Sequence, residues 1–138
     1  MGQLVTSCAS DAQQLAPVVQ AVKDVTGRTP TRVLADAGYC SEDNMKNMEE
    51  QNIDAYLAPG RMPRTYRRPA SPRGRIPAGA TRRERMKRKL LTRKGKGIYH
   101  LRQETVETVF GQIKNKGLQR FLLRGLTRVQ GEWALHAI

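Results

Sequence analysis

Aromatic residues are scarce in this chain of 138 residues: one Trp, two Phe and four Tyr, 5% in all. Hydrophobic residues of every kind reach only 38%. That is thin for a domain closed around one large core and implies that part of the chain lies outside it. There are two cysteines, Cys8 and Cys40. Without a CxxC spacing they make no zinc site, and they read as reduced, buried thiols of a cytosolic protein. No apolar run approaches the ~18 residues of a membrane span, and Met1-Gly2-Gln3 opens no basic-then-apolar leader. We therefore expect a cytoplasmic protein with no membrane partner.

Acidic residues are scarce in one part only. Residues 1–58 hold four Lys and Arg against eight Asp and Glu, whereas residues 59–138 hold 21 Lys and Arg against Glu84, Glu104, Glu107 and Glu132. The division falls at Pro59-Gly60, a turn signal. The net charge of +13 is therefore the difference between a mildly acidic part and a strongly basic one. A polyanion is the partner such an excess fits, and nucleic acid is the commonest polyanion.

The acidic part alternates strand and helix patterns. Gln3 to Ala9 reads as a short strand. Ser10 or Asp11 can cap a helix to about Val25, with Leu15, Val18, Val19 and Val22 at helical spacing. Arg32 to Ala35 is a second strand, its Val33-Leu34-Ala35 run suggesting burial on both faces. Ser41 caps a second helix, with Asn44 three residues on and Met45 and Met48 on one face. Ile53 to Ala58 is a third strand. This rhythm predicts an α/β layer fold with adjacent parallel strands. Residues 60–97 break it: 15 Lys and Arg stand against Glu84 alone, with four prolines. Burial cannot offset the ordering entropy of such a segment as far as Thr81, while Arg82 to Leu91 can form a short basic helix. Residues 98–117 read as one long amphipathic helix with Leu101, Val106, Val109, Phe110 and Ile113 as its stripe and Gly117 as its cap. A last helix starts near Gly125. We divide the chain into an α/β part (1–59), a basic insertion (60–97) and C-terminal helices (98–138).

Two acids stand out. Asp36 falls where the second strand ends and the turn Ala37-Gly38 begins, and the carboxyl ends of strands are where α/β sheets gather catalytic groups. The same position also suits a plain turn cap. Glu107 lies beside the apolar stripe, and helical spacing sets Glu107, Gly111 and Lys114 on one edge. Gly111 leaves room there for a bulky ligand such as a DNA backbone. A solvated helix face would look the same.

The segment Val33-Leu34-Ala35-Asp36-Ala37-Gly38-Tyr39-Cys40-Ser41 resembles the strand carrying the second aspartate of DDE transposases. The segment from Tyr99 to Lys114 resembles the Tyr-Arg-Glu-Lys signature of bacterial insertion-sequence transposases. Arg120-Phe121, Arg124-Gly125-Leu126 and Gly131-Glu132-Trp133 resemble the stretch C-terminal to that signature in the same group. The resemblance implies an RNase H-like catalytic core, incomplete at the N-terminus and interrupted by the basic irregular insertion. It implies DNA transposition by metal-dependent strand cleavage and transfer, with Mg²⁺ or Mn²⁺ as a pair ~3.5–4 Å apart. Asp36 and Glu107 would be the catalytic, metal-holding acids. Tyr99, Arg102 and Lys114 would hold transposon-end DNA, and Arg82, Arg83, Lys87 and Arg88 of the insertion would add phosphate contacts. The implied partners are DNA and a second copy in a synaptic homodimer, in the nucleoid. The family's first aspartate has no counterpart here, so the expectation is a fragment with little activity alone. The other function class open to this sequence is a non-enzymatic, basic DNA- or RNA-binding protein.

One spacing departs from the signature. The family sets three residues between Arg and Glu; here four separate Arg102 from Glu107. On an unbroken helix that turns Arg102 roughly 140° from Glu107.

Overall fold

In the computed structural model, residues 10–60, 71–118 and 120–136 are described, with the backbone alone for Gln103, Glu107 and His136. The expected first strand, Gln3–Ala9, and Cys8 lie outside the described residues, as do the arginines between 61 and 70.

The helix expected after Ser10 opens as a 3₁₀ turn, Asp11–Gln14, and continues as α1, Leu15–Thr26. Pro17 is accommodated in the first turn, where its missing N–H has no helical partner to lose. Gly27, with φ 66°, ends α1 and returns its N–H to the Lys23 carbonyl at 2.8 Å, a left-handed cap that only glycine adopts cheaply. Strand β1 is Arg32–Ala35, as the sequence indicates, although only Ala35 is fully buried. Helix α2, Glu42–Glu50, begins with the Ser41 hydroxyl accepting from the Asn44 N–H at 3.1 Å. It ends with Asn52 at φ 54°, where Ile53 N–H reaches the Met48 carbonyl and Asn52 N–H the Glu49 carbonyl. That bond pair is a Schellman cap with asparagine in glycine's place.

Strand β2, Asp54–Leu57, runs parallel to β1, pairing Arg32 with Asp54 and Ala35 with Leu57. The β1–α2–β2 crossover is the parallel unit that the alternating pattern predicts. Its core comprises Leu15 and Val19 of α1, Met45 and Met48 of α2, Ile53 just before β2, and Ala35, Ala55 and Leu57 of the sheet. The alternation in α1 places Leu15 and Val19 inward and leaves Val18, Val22 and Val25 exposed.

Beyond Gly60 the chain is more helical than the sequence suggests. Helix α3, Arg82–Leu91, opens with a full capping box in which Thr81 and Glu84 exchange bonds, a start that needs no buried surface. Its far end is fastened to β2. Lys89 donates to Asp54 at 2.6 Å and to the Ala55 carbonyl at 2.7 Å, and its ammonium stands 4.1 Å from the Tyr56 ring centroid. Helix α4, Arg93–Arg102, starts five residues earlier than the expected 98. Thr92 makes this tight α3–α4 joint work: its hydroxyl donates to the Lys89 carbonyl and accepts from Gly95 N–H.

From Arg102 the helix widens through a π turn, Gln103–Glu107, before α5, Thr108–Asn115. Gly117, φ 107°, closes α5 with a second Schellman pair, Leu118 to Ile113 and Gly117 to Lys114. The stripe expected along this helix is buried only at Ile113; Leu101, Val106, Val109 and Phe110 are exposed. Helix α6, Leu126–His136, returns Trp133 between Phe110 and Phe121. Its Glu132 carboxylate, buried, accepts from Leu122 and Leu123 N–H at 2.9–3.1 Å. Among the described residues no helix is long and apolar enough to cross a membrane.

Candidate functional site

Parallel pairing with β2 carries β1 to a buried end at Ala35, and the chain turns out of the sheet at Asp36. One Asp36 oxygen accepts the Gly38 N–H at 3.2 Å, so the turn-cap role is realised. The other faces Arg102 Nη1 at 3.5 Å. One turn earlier on the same helix, the Tyr99 hydroxyl donates to the Ala35 carbonyl at 3.4 Å. The helix that leads to Glu107 is therefore docked on the end of the strand that presents Asp36. The Asp36 side chain is 52% accessible while Arg102 is 24% accessible, so the carboxylate can take a ligand that the guanidinium approaches from a sheltered side.

A second acid stands beside Asp36 that the sequence gives little reason to choose. A Cβ added to Gly38 would lie 2.8 Å from an Asp11 carboxylate oxygen and 3.4 Å from Asp36 Oδ1. Gly38 is thus a gap between two carboxylates, and any side chain there would fill it. Asn44 fixes this arrangement. Its buried amide donates to the Ala12 carbonyl at 2.7 Å and to the Tyr39 carbonyl at 2.8 Å, tying the turn that carries Asp11 to the turn after Asp36. Both partners are carbonyls, which fixes the amide's orientation. The combined field is felt by Tyr39, whose hydroxyl pKa is pushed up by burial and then by Asp11 and Asp36. Asp11 is far from Asp36 in the sequence, and the parts that Asp11 and Asn44 take in the site come only from the tertiary contacts. Cys40, half-buried next to this turn, has its thiol pKa raised by burial, against the lowering effect of Arg83, so it stays a protonated, weakly reactive thiol.

A groove of about 580 Å³ opens in front of these groups. Asp11, Asp36, Tyr39 and Arg102 form its polar part, and Val18, Val22, Val106 and Phe110 its apolar walls. Glu107 adjoins Val106 on the backbone; its side chain is outside the described residues. Lys114 lies exposed at the end of α5, and a Cβ at Gly111 would meet nothing within 4 Å. The 140° offset expected between Arg102 and Glu107 holds only for an unbroken helix, and the π turn breaks it.

Arg82, Arg83 and Arg88 of the insertion have partners within the chain. Arg82 pairs with Glu49 at 2.9 Å. Arg83 donates twice to the Pro59 carbonyl, at 3.0 and 2.7 Å. Arg88 bonds the carbonyls of Arg73 and Gly74, while Lys87 is exposed. These bonds fasten α3 to α2, to the residues just after β2 and to the segment before α3 itself. A guanidinium has further donors beyond two bonds, so such a contact does not preclude a phosphate.

The chain thus holds a parallel βαβ unit whose strand-end carboxylate, Asp36, faces Arg102 of α4, at the end of the sheet where α/β folds gather ligands. A family model described as a transposase DDE domain matches residues 3–138, and the chain belongs to that family. No curated protein and no solved structure matches it. An RNase H-like fold, a function in transposition and an affinity for DNA come with membership, as does the use of divalent metal ions. The donors around Gly38 suit such an ion in type, since carboxylate oxygens are the ligands Mg²⁺ and Mn²⁺ prefer. Among the described residues no three His, Cys, Asp or Glu side chains form a ligand group.

Proposed function

We propose that this chain carries the second and third acids of an insertion-sequence DDE transposase, Asp36 and Glu107, and grips transposon-end DNA with its basic part. The observation that supports this most is the docking of the Tyr99–Arg102 helix face on the strand end at Asp36. A merely basic nucleic-acid-binding protein has no need to bury part of an arginine against a strand-end carboxylate. In this reading Asp36 and Glu107 hold Mg²⁺ or Mn²⁺. When bound, such ions supply Lewis-acid activation of an attacking water or 3′-hydroxyl and stabilisation of the leaving oxygen. The chain's own residues do the rest. Tyr99 fixes the helix on β1, and Arg102 neutralises the carboxylate or a phosphate held beside it. Lys114 meets a phosphate as a point charge across Gly111. Arg82, Arg83, Lys87 and Arg88 add backbone contacts with no base readout. A homodimer brings two transposon ends together, in the nucleoid.

Two assigned acids leave a metal pair short of anionic ligands, so we expect DNA binding with little cleavage from this chain alone. The test is incubation with a duplex ending in an insertion-sequence inverted repeat, with Mn²⁺. Binding with negligible nicking is the expected result. Efficient nicking abolished by Asp36→Ala would keep the site and refute the low activity. Nicking that ignores both Asp36→Ala and Glu107→Gln would refute the site itself. DNA binding with no metal-induced melting shift, in the parent or in either variant, would favour the non-enzymatic alternative.

A further inference from the structure

We propose that the π turn at Gln103–Glu107 is a register device that returns position 107 to the helix face carrying Tyr99 and Arg102. The role of an acid at that position rests on the function proposed above; the register itself rests on the backbone. Residues five apart on an α-helix point roughly 140° from each other. A π turn closes its hydrogen bond between residues i and i+5, so residues five apart take the relation that residues four apart have in an α-helix. Arg102 and Glu107 are five apart, and the π turn spans the interval between them. The face so restored is the one turned to the strand end: Tyr99 on the Ala35 carbonyl, Arg102 on Asp36, Val106 and Phe110 along the groove.

Two threonines, one within the turn and one just after it, reach back along the helix. Thr105 donates its hydroxyl to the Leu101 carbonyl at 2.8 Å, and Thr108 donates to the Glu104 carbonyl at 2.7 Å. Widening a helix by one residue costs the local ladder a bond and leaves a carbonyl without its usual partner. Hydroxyls reaching back four residues satisfy such carbonyls and favour local bending. The sequence therefore supplies both the extra residue and the side chains that stabilise its accommodation. Single-turn π bulges inside α-helices recur at functional sites, and here the bulge follows Arg102, the cation paired with one candidate acid, and ends at the second, Glu107.

The test reads geometry without metal or DNA. Nitroxide labels are placed at Asp36→Cys and Glu107→Cys in a chain whose Cys8 and Cys40 are replaced by alanine, and dipolar broadening is recorded by EPR. Broadening is expected in that chain. It should survive deletion of Glu104, which converts the π turn into an α turn with the same face restored. Insertion of an alanine after Glu104 should abolish it, because the turn cannot absorb a second residue. In parallel, thermal melts of the otherwise unchanged full chain should place the Glu104 deletion within about 3 °C of the parent. A deletion of Gln112, which lies in regular helix and rotates everything after it, should lower the midpoint by roughly 8 °C or more. A Glu104 deletion as damaging as the Gln112 deletion, loss of broadening on that deletion, or broadening that persists after the insertion would each overturn the proposal. With these tests passed, absence of Mn²⁺ binding by the parent chain, which keeps Asp36 and Glu107, would remove the transposase-site reading and leave the register standing.

Discussion

Asn44→Ala tests how the site is held together. The Asn44 amide is buried and makes two hydrogen bonds through one nitrogen, at 2.7 and 2.8 Å, to the carbonyls of Ala12 and Tyr39. Truncation removes both bonds and leaves two carbonyls facing a small void. A typical bond is worth about 0.5–1.5 kcal/mol net, and an orphaned buried group costs about 1–3 kcal/mol more. Water entering the void would recover part of that, so a loss of about 2–4 kcal/mol is expected. Urea unfolding at constant pH and salt measures it, with the slope unchanged and the midpoint lowered. The functional consequence is separate. The same amide ties the Asp11 turn to the turn after Asp36, so the surviving folded fraction should bind Mn²⁺ several-fold more weakly. A stability loss below about 0.5 kcal/mol, well under the expected range, would show that this strut contributes nothing.

Glycine gives a sign test on the helices that carry the site. An alanine Cβ at Gly95 would lie 2.0 Å from the Lys89 carbonyl oxygen and 2.9 Å from the Thr92 hydroxyl, so Gly95→Ala should destabilise by about 2–4 kcal/mol. At Gly111 the space is open; Gly111→Ala should stabilise the helix by about 0.5–1 kcal/mol yet weaken DNA binding if a phosphate approaches there. Thermal melts and a DNA titration of both variants decide this. The Asp54–Lys89 clamp predicts a pH dependence. Partial burial opposes the Asp54 carboxylate, but the hydrogen bond and charge of Lys89 outweigh it, and the pKa is lowered from its ordinary value. A carboxyl held low in the folded state contributes stability above its unfolded pKa of about 3.9 and loses it as pH falls through the lower folded value. Melts of the parent and Lys89→Met between about pH 6 and pH 2.5 should converge toward the acid end; a constant gap would contradict the clamp. If half a dozen phosphates are held, affinity for duplex DNA should fall by orders of magnitude between ~50 and ~200 mM salt, and a flat titration would contradict phosphate contacts from the basic insertion.

The elements fixed by local chemistry are legible in the sequence. Arg32–Ala35 reads as a strand, Ser41 as a cap and Gly117 as a stop because each depends on neighbours within a few residues. The start of α4 is not legible, because Gly95 and Gly97 lower helix propensity and the joint depends on Thr92 fitting between the two helices. The apolar stripe of the long helix is legible as a pattern, but the pattern does not say what covers it, and Val109 and Phe110 remain exposed among the described residues. In the candidate site, Asp36 can be singled out from its place at a strand end and Arg102 from the signature that the segment resembles. Asp11 and Asn44 cannot, because a carbonyl or a glycine far away in the chain is what marks them. The π turn has a trace in the sequence, the one-residue excess between Arg102 and Glu107, whose meaning only the backbone supplies.

Titration of the purified chain with Mn²⁺, read from the EPR signal of the free ion, asks whether two carboxylates far apart in sequence grip one ion. It should reveal binding that either Asp36→Asn or Glu107→Gln weakens at least tenfold, with the double variant little worse than the worse single one, as for two ligands of one site. Unchanged affinity in both single variants would mean that the carboxylates at 36 and 107 share no cation.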